Sequence, residues 1–141
     1  MNIYIMTDLE GISGITSREQ VIPEASRYAE GRRLMVNDIN VVVRACKEAG
    51  ADKVYVRDAH GGGMNVIWPE LCEEADGYII GYTGDDRFPC LDECDAVILL
   101  GYHAMAGTPG AILEHTFSSK AWQNLSWASF FLSAESSPDS E

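Results

Sequence analysis

Positive charge is scarce in this chain: 10 Lys and Arg stand against 22 Asp and Glu, for a net charge of −12. A nucleic-acid partner needs a basic stripe to meet its phosphates, so that class is excluded. Long apolar runs are missing as well. None approaches the roughly 18–20 residues of a membrane span. Asn2-Ile3-Tyr4-Ile5-Met6 lacks the basic start and cleavable stretch of a signal peptide, and it reads as a first strand. The four cysteines, at 46, 72, 90 and 94, do not have the spacing of a small disulfide scaffold. Cys90 and Cys94 have no second cysteine pair after them, so they are read as ordinary thiols, and a cytoplasmic location follows as the default. There is no internal repeat.

The apolar share of 46% is ordinary for a globular protein, and 141 residues make one domain by length. Apolar runs at Ile3 to Met6, Val54 to Val56 and Ala96 to Leu100 read as strands, with a short one at Gly77 to Ile80. Asp95 to Gly101 is the clearest of them, and its continuous apolar run suits a sheet covered on both faces. Between the first two strands, Glu24 to Ala49 is patterned as a helix. Tyr28, Met35, Ile39, Val42 and Cys46 fall on one face, and Gly50 is a stop. Gly31 marks an irregular start or a kink. A short helix is expected over Met64 to Glu74, beginning near Pro69. Strands alternating with helices predict an α/β fold with a mostly parallel sheet flanked by helices and right-handed crossovers.

All three histidines lie in short polar segments: His60 in DAHGGG, His103 in GYHAMAGTPG and His115 in EHTFSS. Another polar segment carries Asp8-Leu9-Glu10. All of these four segments except that of His115 follow directly on an apolar run. Open α/β folds build their sites beyond the carboxyl ends of the strands. Alternation within an extended segment puts Asp8 and Glu10 on the same side. Imidazoles and carboxylates are zinc ligands, and the chain reads first as a metalloenzyme. Asp58 has two readings: it fixes a ligating imidazole from behind, or it caps a nearby helix. The three glycines after His60 either allow a close backbone approach or form a plain turn.

IYIMTDLEGISG, VRDAHGGGMN and LLGYHAMAGTPGAILEHTF, in this order over roughly residues 1 to 125, resemble the bacterial D-aminopeptidase family of binuclear zinc peptidases. The resemblance implies that Asp8, Glu10, His60 and His103 are zinc ligands and that His115 is catalytic. It further implies two zinc ions, a metal-bridged hydroxide as nucleophile, short peptide substrates with N-terminal D-residues (D-Ala-D-Ala type), and homo-oligomers in intact members. Between His103 and His115 this chain carries one residue more than the family pattern.

The family's further glutamate ligand, in a G-E-x-G-type segment, has no match here. Residues 126 to 141 run SWASFFLSAESSPDSE, with six serines and no Lys or Arg. They read as a non-family, poorly ordered tail after the 1–125 domain, although Trp127, Phe130 and Phe131 allow a short terminal element. Glu135 stands near the expected distance from His115 but outside a glycine-glutamate segment. The second zinc site is therefore expected to be impaired. Two other functions compete. A binuclear metallophosphoesterase would use Asp58-Ala59-His60 as its aspartate-x-histidine; a catalytically dead domain would only bind metal or a partner.

Overall fold

The computed structural model describes residues 1–116 in full, and residues 122–128 and 131–136 by their backbone. The side chain of Glu135, the candidate replacement ligand, lies outside the described atoms. The chain divides into two compact units, Met1–Tyr102 and His103–Glu141.

The first unit is an α/β fold. Strands β1 (Asn2–Thr7), β2 (Lys53–Asp58), β3 (Gly77–Ile79) and β4 (Ala96–Leu100) form one sheet in the order β3-β2-β1-β4. All three pairings are parallel, with Ile5 opposite both Val56 and Ile98. Helix α1 (Tyr28–Glu48) makes the crossover from β1 to β2. Chain order runs outward from β1 on one side and then jumps to β4 on the other. The carboxyl end of β1 is therefore the switch point where such sheets open a crevice.

Burial follows from the two periodicities. Ile3, Ile5, Val54 and Val56 alternate onto one face of the sheet and are buried. In α1 the buried stripe is Gly31, Met35, Ile39 and Val43, each four residues after the last, with Val36 beside it. The stripe ends at Val43 and does not include the expected Val42, which is half-buried. The helix also starts later than Glu24. That residue has a φ of 70°, in the left-handed region, which no helix contains, and the backbone turns through residues 24–27 before α1 begins.

Two other expectations are corrected. Met64 to Glu74 holds only a three-residue 3-10 turn, Trp68–Glu70, because the chain becomes extended again at Leu71 (ψ 143°). Strand β4 is not covered on both faces. Among the described residues it is an edge strand, paired with β1 alone, and Val97 and Leu99 are 48% and 61% exposed. Its inner positions Ala96, Ile98 and Leu100 are half-buried. No helix among the described residues is long and apolar enough to cross a membrane.

Gly31 owes its place to a close approach. A Cβ there would sit 2.0 Å from the carbonyl oxygen of Gln20 and 2.9 Å from its carbon. Gly to Ala inside a helix ordinarily gains up to about 1 kcal/mol. Here the sign reverses, because backbone must move to admit one methyl group. Gly31→Ala is expected to lower stability by roughly 1–3 kcal/mol, read as a lower urea midpoint. A raised midpoint would show that the turn and the helix do not press together.

In the second unit, β5 (Trp122–Ala128) and β6 (Phe131–Ser136) pair antiparallel, with an irregularity between Trp122 and Asn124.

Candidate metal centre

The segment after β1 turns sharply and is pinned to the end of β4. Asp8 N–H donates to the Leu100 carbonyl at 2.8 Å, and Gly11 N–H to the Gly101 carbonyl at 2.8 Å. Leu9 and Ile12 are buried, and the turn, not the extended alternation expected from the sequence, leaves both Asp8 and Glu10 within reach of His60. Both carboxylates are out of water, with side chains 5% and 4% exposed.

After β2, Ala59 N–H donates to the Thr7 carbonyl at 2.9 Å, which brings His60 beside the β1 segment. Its Nδ1 lies 3.0 Å from Asp8 Oδ1 and 3.0 Å from Glu10 Oε2. Its Nε2 lies 2.9 Å from the Val21 carbonyl. One donor atom from each of Asp8, Glu10 and His60 falls within 4.8 Å of the others.

Two carboxylates this close and this buried repel each other strongly unless a cation joins them. In the protein alone that cation is the His60 imidazolium. Burial opposes its charge, but the hydrogen bonds to Asp8 and Glu10, and the charges of both, outweigh burial and raise its pKa to about 10. A divalent ion meets the same need with more charge. Two carboxylate oxygens and an imidazole nitrogen also suit zinc, and the ion would take the place of the Nδ1 proton.

The His60 loop is held from behind. Gly61 and Gly63 take φ values of 52° and 70°, the conformation that favours glycine. Asp58, 1% exposed, accepts N–H bonds from Asn65 (2.6 Å) and Val66 (3.1 Å), and another from the Asn65 side chain (2.8 Å). The Asn65 side chain also donates to the His60 carbonyl at 2.6 Å. Asp58 thus steadies the loop that carries His60, and the imidazole nitrogens face Asp8, Glu10 and Val21 instead. On the outer side, Tyr28 donates to the Asn65 side chain, and Arg32 donates to the carbonyls of Asn65 and Val66 at 2.5 and 2.9 Å.

His103 and His115 come together in the second unit. Their rings stack with centroids 3.5 Å apart at 24°. His103 Nδ1 lies 3.0 Å from the Ala104 carbonyl and His115 Nδ1 2.7 Å from the Leu113 carbonyl. A carbonyl only accepts, so each Nδ1 donates a proton in these contacts. The backbone is shaped to this end. Leu113 takes a φ of 48°, uncommon for a side chain of its size, and His115 N–H donates to the Ala104 carbonyl at 3.1 Å.

Sequence reasoning missed Gln20, Val21 and Asn65. Val21 acts through its carbonyl, which no residue type advertises. Gln20 had a signal: Ser17-x-x-Gln20 is the spacing that opens a helical turn, and Ser17 N–H does donate to Gln20 Oε1 at 3.0 Å.

A family model for D-aminopeptidases matches residues 1–128. A D-aminopeptidase of Bacillus subtilis is 32% identical over 121 residues, 82% of this chain and 42% of its own length. A solved zinc-dependent D-aminopeptidase of Bacillus subtilis, a self-compartmentalizing protease, superposes with a TM-score of 0.76 at 26% identity. The match covers 95% of this chain and 48% of that one. The chain thus spans about half the length of both relatives.

Proposed function

The chain belongs to the D-aminopeptidase family, and on that premise we propose that it carries the metal-binding part of a zinc aminopeptidase. Its substrates would be short peptides with N-terminal D-residues, of the D-Ala-D-Ala type. One observation carries the reading: the buried cluster of Asp8, Glu10 and His60, with donor atoms within 4.8 Å of one another.

In this proposal Asp8, Glu10 and His60 hold zinc, His103 is a further ligand, and His115 is the catalytic group. When bound there, zinc would supply Lewis-acid polarisation of the scissile carbonyl. The rest is left to the chain's own side chains. Asp8 and Glu10 balance the ion's charge, and Asp58 keeps the His60 loop in register through Asn65. His115, with Nδ1 bonded to the Leu113 carbonyl, offers Nε2 to move a proton toward the departing amine or to steady charge as the carbonyl becomes tetrahedral. Assembly into a homo-oligomer is part of the proposal, supported by the self-compartmentalizing relative, as is a cytoplasmic location. The family match reaches residue 128, three residues past the expected boundary at 125, and a weak second zinc site is part of the proposal.

The metallophosphoesterase reading loses its first ligand, because the Asp58 carboxylate is taken up by Asn65 and Val66. The remaining alternative is a domain that binds metal without catalysis. Zinc content after dialysis, measured with D-Ala-D-Ala hydrolysis on the same sample, tests the proposal. One tightly held zinc per chain is expected, with little or no hydrolysis. Two tight zincs with ordinary peptidase turnover would refute the weak second site, and a chain without zinc would refute the metal centre.

A further inference from the structure

The segment between β1 and α1 contains a polar side chain that is fully buried although it belongs to no donor cluster. Gln20 is 0% exposed. Its Oε1 accepts the N–H groups of Thr16 (2.8 Å) and Ser17 (3.0 Å) and the Thr16 hydroxyl (3.3 Å). Its Nε2 donates to the Gly14 carbonyl (3.1 Å) and to the Glu30 carboxylate (3.2 Å). These bonds use the full capacity of an amide side chain, and they tie residues 14–17 to the first turn of α1. The Gln20 backbone is pressed against the same helix at Gly31, where no Cβ fits. The next residue, Val21, is 1% exposed, and its carbonyl stands 2.9 Å from His60 Nε2.

We infer that the Val21 carbonyl, held in place by Gln20, keeps the His60 proton on Nε2 and so presents Nδ1 as the metal-ligating atom, which makes Gln20 a positioning residue of the metal centre. The inference rests on the metal reading of Asp8, Glu10 and His60 given above. A ligating histidine is oriented by the hydrogen bond that its other nitrogen makes. Nδ1 is the atom that faces both carboxylates, each at 3.0 Å. Turning the ring to offer Nε2 would take the N–H away from a buried carbonyl and leave that carbonyl without its imidazole donor. The fixed position of Val21 follows from the amide of Gln20, because a free turn would let the carbonyl swing away.

Gln20→Leu keeps the bulk and removes all five side-chain bonds, so it is the test variant. Its zinc affinity, measured by competition with a chromophoric chelator, is expected to fall about 10–100-fold. Val43→Ala, a core cavity elsewhere on α1, should lower thermal stability without changing zinc affinity, which separates positioning from general loosening. With an NMR-active cadmium isotope in place of zinc, one-bond coupling should appear at His60 Nδ1, and the Nε2 proton should remain. In the metal-free chain that proton should already exchange slowly, and Gln20→Leu should speed its exchange. Cadmium on Nε2, or unchanged zinc affinity in Gln20→Leu, would overturn the positioning role. A chain that takes up no metal while its Nε2 proton stays protected would overturn the metal reading instead.

Discussion

A His60→Ala chain is expected to lose its zinc and to fold less stably even without metal. The first effect is a ligand count: one of three donor groups within 4.8 Å disappears. Removing an orienting partner costs about 10–100-fold in metal affinity, so losing a ligand itself should exceed that range. The second effect comes from the two acids left behind. The side chains of Asp8 and Glu10 are 5% and 4% exposed, and in the metal-free protein the His60 imidazolium joins them. Breaking a buried charge pair from one side costs roughly 3–5 kcal/mol, partly relieved here if one carboxyl takes up a proton. Chelator competition reads the first effect and thermal denaturation of dialysed protein the second. Unchanged zinc affinity in His60→Ala would remove the metal centre from the proposal.

Replacing the histidine that matches His115 in a full-length relative should leave metal content nearly intact and lower turnover by about 10²–10⁴-fold, the usual contribution of a positioned acid, base or charge stabiliser. The local structure supports that division of labour. His115 is held by its own backbone, through the Leu113 carbonyl, and its ring lies 3.5 Å from that of His103. Truncation removes one face of that stack, so a small weakening at the proposed ligand His103 is expected alongside the large kinetic effect. Loss of a whole metal equivalent would make His115 a ligand and reverse the assignment.

What the sequence revealed was the regular part of the molecule. Strands β1, β2 and β4 announce themselves as apolar runs, and the polar residues just beyond two of them, Asp8, Glu10 and His60, meet where strand-end loops meet. Position along a strand and side-chain chemistry are both written in residue types. Other features depended on contacts that residue types do not encode. The start of α1 was misplaced because the left-handed backbone at Glu24 overrides a helical pattern. Gly31 looked like a helix irregularity, whereas its lack of a side chain serves a backbone contact with Gln20. The apolar run of β4 suggested two covered faces, but apolar content cannot tell an inner strand from an edge. Residue type alone leaves Asp58 with two readings, behind the imidazole or at a helix cap; its bonds to the Asn65 side chain and to the N–H groups of Asn65 and Val66 put it behind the loop.

The pairing of His60 with Asp8 has a consequence for the chain as a polymer. These two residues are 52 positions apart, and the stretch between them contains the whole crossover through α1. An ion shared by Asp8, Glu10 and His60 is a reversible cross-link that closes this loop in any state in which the ligands stay bound. Closing a loop of that length restricts the unfolded ensemble by roughly 4 kcal/mol, as a disulfide at the same two places would. The first half of the sheet would then be stapled by the same atoms that prepare the chemistry. Chelation would act on it as reduction acts on a disulfide-bonded protein.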